Sequence, residues 1–397
     1  MEGHKKETAL IYNLELTFNY FDVSMFAKII IMRTKFLLIV LSTAIFTTSC
    51  VSVKVAETQD LSKSILNQKP KNIILLIGDG MGLSEVSASL YYGDNKTNFE
   101  RFPVIGLSKT SASSDLITDS AAGATALSAG LKTYNGAIGV DKDTVAAITI
   151  LEKLEKRGFA TGLIATSSIV HATPASFFAH VKSRQFYDEI ATYLPSSGTD
   201  FIAGGGLNYF RNRKDNKDLI AELKNNGYET YLENIPKEIS EKKMAMILAP
   251  NAMPTIIEDR GDYLTDVTKL GLEKLSKNEK GFFIMIEGSQ IDWGGHSNDA
   301  DYLIAELLDF DKAIGAALDF AERNKNTLVI VTADHETGGF TLASDNNDYN
   351  KIKPTFSTTG HSGTMVPVFA KGPGQQLFGG MYENTSIYDK MMLLLSE

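Results

Sequence analysis

The stretch KNIILLIGDG, residues 71–80, decides how the rest of the chain is read. Five consecutive apolar residues, Ile73 to Ile77, are stopped by Gly78, Asp79 and Gly80. A short unbroken apolar run bounded by glycines fits a strand buried on both faces, as in a parallel sheet with helices above and below. Similar runs recur at TGLIAT (161–166), DFIAGGG (200–206), MAMILA (244–249), GFFIMIEG (281–288) and TLVIVTADHE (327–336), and VPVFAKGPG (366–374) adds a late strand. Amphipathic patterns separate them: VAAITILEKLEKRG (145–158), KDLIAELKNNG (217–227) and YLIAELLDFDKAIGAALDFAERN (302–324) predict helices. Strands alternating with helices give an α/β fold, a single large three-layer domain with a mainly parallel central sheet.

Composition narrows the function. The chain has 397 residues, a formal net charge of −9 and no basic stripe. Nucleic acid is therefore excluded as a partner, since nothing offsets phosphate repulsion. An acidic protein handling anionic substrates needs a locally positive site, which bound cations supply.

The N-terminal part is read separately. Met32-Arg33-Thr34-Lys35 followed by FLLIVLSTAIF (36–46) has the charge and apolar length of an export-signal core, too short for a comfortable membrane span. Cys50, the only cysteine, follows directly. The expected organisation is an extension plus export signal over 1–50, a polar tether over 51–70, and a catalytic domain over 71–397. Cys50 is the expected lipid attachment site, with Thr47 departing from the leucine usual in a bacterial lipobox; plain cleavage nearby is the alternative. The protein is expected to be exported, periplasmic or anchored to the outer membrane as a lipoprotein, with membrane contact only through that lipid.

In open parallel sheets, ligands sit beyond the carboxyl ends of the strands. Three apolar runs end there in acids: Asp79, Glu287 and the pair Asp334-His335. One strand-end carboxylate is commonly a cap or turn former; three at one edge, with a histidine, point to metal. In IEGSQIDWGGHSND (286–299), Asp292 and His296 are four apart and share a face if a helix begins there. With His361 from TTGHSGT (358–364) they form a mixed oxygen/nitrogen set suited to zinc with an open position. Asp334, His335 and Asp79 make a second such set. Asp79, Glu287 and Thr173, from VHATPASFFAHVKSR (170–184), make an all-oxygen set suited to magnesium. Ser120, in TDSAAGATA (118–126), stands among small residues, as a nucleophile approached by a tetrahedral group would. It lacks the glycines of a nucleophile elbow and has no histidine base nearby in sequence.

Taken in order, IGDGMG, TDSAAGATA, ATPAS…SR, EG…ID…GGH, TADHETGG and the GH at 361 resemble the alkaline phosphatase family over residues 71 to 374. The resemblance implies hydrolysis of small phosphate monoesters with two zinc ions and one magnesium, probed at Ser120 as the residue that carries a phosphoserine intermediate. Asp79, Asp334 and His335 are then ligands of the zinc that meets Ser120. Asp292, His296 and His361 hold the other zinc, and Asp79, Thr173 and Glu287 the magnesium. Arg184 forks onto two phosphate oxygens and Asp119 orients it. A homodimer is implied too. Two positions depart from a familiar bacterial pattern: His171 stands where aspartate is common and Trp293 where lysine is, placing a histidine beside the magnesium and removing a cation near phosphate. His180, in FFAHV, is expected to be structural, on the apolar face of a helix. The short stretch between His335 and His361 leaves room for only a small interface crown, and residues 185–283 are expected to complete the sheet. A diesterase of the same superfamily, or a non-catalytic nucleotide or metal binder, are the alternatives; the C/S-x-P-x-R context of sulfatases is absent around Ser120.

Overall fold

The computed structural model describes residues 69–94 and 96–396. The expected export signal, Cys50 and most of the tether lie outside the described residues. No helix among the described residues is long and apolar enough to cross a membrane.

Ten strands form the central sheet: β1 Asn72–Gly78, β2 Val104–Lys109, β3 Ala160–Ser168, β4 Phe201–Gly205, β5 Tyr228–Tyr231, β6 Lys243–Ile247, β7 Phe282–Gly288, β8 Thr327–Thr332, β13 Val366–Lys371 and β14 Gly380–Glu383. The order across the sheet is β14-β2-β13-β8-β1-β7-β3-β4-β6-β5. Only β13 runs against its neighbours, pairing antiparallel with both β2 and β8. Short strands outside it are β9 Glu336–Thr337, β10 Thr341–Asp345, β11 Asp348–Thr355 and β12 His361–Ser362.

The apolar runs form strands because both faces of each are buried. Along β1, Ile73, Leu75 and Ile77 enter one core while Ile74 and Leu76 enter the other. β7 and β8 divide in the same way, with Met285 and Ile330 on one side and Ile284 and Val329 on the other. At about 1.5–3 kcal/mol for each fully buried side chain, this double burial fixes the centre of the sheet. One face is covered by the helix Ala300–Asn324, whose Leu303, Leu307, Phe310, Ile314, Ala317 and Leu318 recur every three or four residues and are buried. The buried Arg260, in the loop before the helix Tyr263–Leu275, fastens that loop to the long helix, bonding Glu306 and, at 2.9 Å, Asp309.

Two local expectations are corrected. The helix expected over 145–158 begins only at Ile150. Thr149 accepts from Glu152 N–H at 3.2 Å while Glu152 accepts from Thr149 N–H at 2.8 Å, a capping box that sets the start. The Thr149 hydroxyl also donates to Phe177 O, pinning that cap to the core. His180 is structural, as expected, but it is neither helical nor on an apolar face. Its ring bonds Gly139 O at 2.6 Å and Glu152 at 3.1 Å.

The stretch between His335 and His361 carries a single hairpin, β10–β11, turning at Asn346 and Asn347, both with positive φ. The insertion there is accordingly small. Within residues 185–283, β4, β6 and β5 extend the sheet to one edge.

Candidate active site and metal centre

The site assembles at the carboxyl ends of the central strands. Asp79 follows β1, Glu287 is the penultimate residue of β7, Asp334 and His335 follow β8, and His171 and Thr173 lie just past β3. Parallel neighbours deliver these side chains to one edge; Ile77 pairs with both Glu287 and Thr332.

Three groups of candidate ligands have atoms within 4.8 Å of one another: Asp292, His296 and His361; Asp79, Asp334 and His335; and Asp79, His171 and Glu287. The first two match the sequence expectation. In the third, His171 joins the acids, so the set is not all oxygen. Thr173 sits at its edge, with its hydroxyl 3.5 Å from Asp79 Oδ2.

The donor chemistry of each group fits a cation. Asp292 and His296 bracket the short helix Ile291–His296, which puts both on one face. His296 Nδ1 lies 2.6 Å from Thr359 O and His361 Nδ1 2.8 Å from Thr118 O. A carbonyl only accepts, so both Nδ1 atoms carry protons and both Nε2 atoms point inward, where a neutral ring offers a lone pair and a protonated one an N–H. Those two Nε2 atoms are 3.1 Å apart and 3.4 and 3.5 Å from Asp292 Oδ1. Two ring nitrogens and a carboxylate at this spacing need a proton or a cation among them. Burial would raise the Asp292 pKa, but the His361 bond and the surrounding imidazoles hold it well below the usual carboxylate range.

In the second group His335 Nε2 lies 3.5 Å from Asp79 Oδ1, 3.2 Å from Asp334 Oδ2 and 3.3 Å from Ser120 Oγ. Asp79 Oδ1 and Asp334 Oδ2 are buried and have no hydrogen-bond partner, as do Glu287 Oε1 and His171 Nδ1 in the third group. Orphaned acceptors converging in a dry site are what a metal centre needs. Burial, then repulsion among the acids, raises Asp79 well above its ordinary value. Burial likewise pushes Glu287 to about 7 and, with Asp292 adding to it, Asp334 to about 6. Burial and the nearby Arg184 lower His171 to about 3, so its ring is neutral and able to ligate.

Ser120 is the first residue of the helix Ser120–Ala129. Asp119 caps that helix through Oδ1, which accepts from Ala122 N–H at 3.0 Å, while Oδ2 accepts from Gly136 N–H and from Arg184 Nη1, each at 3.0 Å. One carboxylate thus aims the serine-bearing helix and the arginine together. The helix sits close because residue 123 is glycine: a Cβ there would lie 3.0 Å from Asp334 Cβ. Arg184 Nη2 lies 3.3 Å from His171 Nε2, and Trp293 meets the His171 ring edge-on at 5.8 Å.

All the expected site residues among the described residues converge here. Sequence reasoning missed Thr337, whose hydroxyl is 2.5 Å from Asp292 Oδ1, and Glu336, which accepts from Phe340 N–H and Ser362 Oγ and is backed by the buried Glu85. Their only sequence signal was position beside His335.

A doubly covered, mainly parallel sheet whose carboxyl edge joins a helix-start serine, an arginine and three cation-ligand groups defines the class of metal-dependent hydrolases built on a three-layer sheet. Comparison with known proteins makes the class specific. Residues 70–354 match the model of the family described as alkaline phosphatase. The chain is 36% identical to alkaline phosphatase 3 of Bacillus subtilis, covering 89% of this chain and 95% of that one. It is 32% identical to the alkaline phosphatase of Escherichia coli, over 85% and 89%. The solved alkaline phosphatase of the Antarctic bacterium TAB5 superposes with a TM-score of 0.81 at 52% identity, over 83% of this chain and 98% of that one. The chain belongs to the alkaline phosphatase family.

Proposed function

We propose that this protein hydrolyses phosphate monoesters to an alcohol and inorganic phosphate through a phosphoserine at Ser120. The observation that carries the reading is Ser120 Oγ 3.3 Å from His335 Nε2 in a ligand group, with Arg184 locked by Asp119 beside it.

Asp292, His296 and His361 would hold one zinc, Asp79, Asp334 and His335 a second, and Asp79, Glu287 and His171 with Thr173 a magnesium. Bound there, such ions supply positive charge that acidifies the serine hydroxyl and stabilises the entering and leaving oxygens. Solved histidine-to-aspartate and histidine-to-glutamate variants of the Antarctic relative have magnesium bound in the M3 site. The protein's own part is positional. The Ser120 oxygen attacks phosphorus in line, the ester oxygen departs, and water then displaces the serine oxygen to release phosphate. Arg184 presents two parallel N–H groups to the non-bridging oxygens, a fork lysine cannot make. The positive end of the Ser120–Ala129 helix dipole lies at Ser120 and favours the same anion.

The same proposal includes export on the leader before Cys50, lipid attachment there, and a homodimer; acyl-chain mass on the mature N-terminus and light-scattering mass test these. The central test uses metal-reconstituted protein with p-nitrophenyl phosphate, its bis-ester, and ³²P-phosphate labelling at low pH. Hydrolysis of the monoester in preference to the bis-ester, with label on Ser120, is the expected result. Preference for the bis-ester would make the protein a diesterase, and no turnover with no label would leave a binding protein.

A further inference from the structure

We propose that the Thr337 hydroxyl is a positioning bridge that orients one ligand in each of the two histidine-containing cation sites, so that its loss weakens cation binding at both. This rests on the metal assignment proposed above and goes beyond it by naming the residue that ties the sites together.

Thr337 is 1% exposed and lies between the two groups. Its Oγ1 is 2.5 Å from Asp292 Oδ1, in the first group, and 3.2 Å from His335 Nδ1, in the second. The directions of these bonds follow from proton counting. Two oxygens 2.5 Å apart need a proton between them, and an ionised Asp292 has none, so the threonine hydroxyl donates to the carboxylate. That proton is then committed, and the contact with His335 requires Nδ1–H to donate to Oγ1. A neutral His335 with its proton on Nδ1 leaves Nε2 bare, and Nε2 is the atom facing Asp79, Asp334 and Ser120. The relay His335 Nδ1–H to Thr337 Oγ1–H to Asp292 Oδ1 therefore fixes a tautomer in one site and neutralises part of a carboxylate in the other.

The backbone holds the bridge rigidly. Thr337 N–H donates to Gly80 O at 3.1 Å, next to Asp79, and Thr337 pairs with His361 across the β9–β12 ladder. Any side chain at position 80 would strike the hydroxyl, since a Cβ there falls 2.8 Å from Oγ1. One residue thus contacts Asp292 and His335 through its side chain and bonds the segments carrying Asp79 and His361 through its backbone. The relay holds the His335 ring and the Asp292 carboxylate in their liganding orientations, so both sites depend on the one hydroxyl.

The test compares Thr337→Ser with Thr337→Ala. Both lose the same methyl, so a packing defect moves them together, and they differ only in the hydroxyl. Thr337→Val is unsuitable because a methyl 2.5 Å from Asp292 Oδ1 would clash. Zinc titration of the stripped full chain against a chromophoric chelator should give wild-type affinities for Thr337→Ser. Thr337→Ala should bind more weakly at both positions, by on the order of 10–100-fold. Equal isotherms for the two variants, or a loss confined to one position, would overturn the proposal. A second readout needs no metal: ¹⁵N-histidine spectra should show His335 as the Nδ1–H tautomer in wild type and Thr337→Ser, and mixed tautomers in Thr337→Ala. An Nε2–H ring in the wild type would also overturn it.

Discussion

Arg184 Nη2 lies 3.3 Å from Nε2 of His171, while the other nitrogen of that ring, Nδ1, is buried with no hydrogen-bond partner. The ring therefore touches Arg184 with one nitrogen, and it belongs to the same candidate cation group as Asp79 and Glu287. Replacing it by a carboxylate changes both neighbours. His171→Asp should move the third site toward magnesium over zinc, since it removes the one nitrogen donor. Metal content after reconstitution with both ions checks this; an unchanged ratio would contradict it.

Trp293 stacks edge-on against the same ring, where a lysine would add a cation near the phosphate. The double variant His171→Asp, Trp293→Lys should retain phosphate more tightly, by roughly tenfold for about 1.4 kcal/mol of added attraction. Turnover should slow if release limits it. Equal inhibition constants for phosphate in the two proteins would refute the assignment.

Asp119 separates two roles within one side chain. Asp119→Asn keeps an acceptor for the Ala122 cap but sets an NH2 group against the Gly136 N–H and the Arg184 guanidinium, so kcat/KM should fall and stability drop by about 1–3 kcal/mol. Asp119→Ala should also lose the cap, at about 1 kcal/mol of stability. Arg184→Lys should cost about 1.5–3 kcal/mol in kcat/KM, the range for a hydrogen bond to a charged group. Identical kinetics for Asp119→Asn and wild type would show that the carboxylate only caps the helix.

His180 and Glu152 predict a pH signature away from the metals. Burial favours neutral His180, but the Glu152 bond and Gly139 O outweigh it and raise the pKa. Burial would raise Glu152, yet His180 and Thr149 lower it. A raised histidine stabilises fully below its unfolded pKa of about 6.5 and loses that as pH rises through the folded value. A lowered glutamate stabilises above about 4.3 and loses that as pH falls through its folded value. The pair thus contributes most between those two pKa values. His180→Gln should lower the urea midpoint more at pH 5.5 than at pH 9; the reverse order would contradict the pairing.

Much of the architecture was legible because its causes are local in sequence. The runs Ile73–Ile77, Phe282–Ile286 and Leu328–Val331 are too apolar to lie anywhere but between two helical layers, and their strand-end acids had to emerge at one edge. The helix start at Ile150 was not legible, because the apolar pattern continues upstream; the capping box and the Thr149 bond to Phe177 O end it. His180 was misplaced because its partner Glu152 is close only in space.

By itself, the sequence determined the doubly buried parallel sheet, the family, and which serine, arginine, acids and histidines gather, because residue type and order carry that information. Only the tertiary structure decided that His171 joins the third candidate ligand group, that Asp119 holds helix and arginine at once, and that Thr337 lies between two such groups. Those facts depend on lone-pair directions and separations of a few ångströms between segments far apart in the chain. Spacing along a sequence does not encode them; packing does.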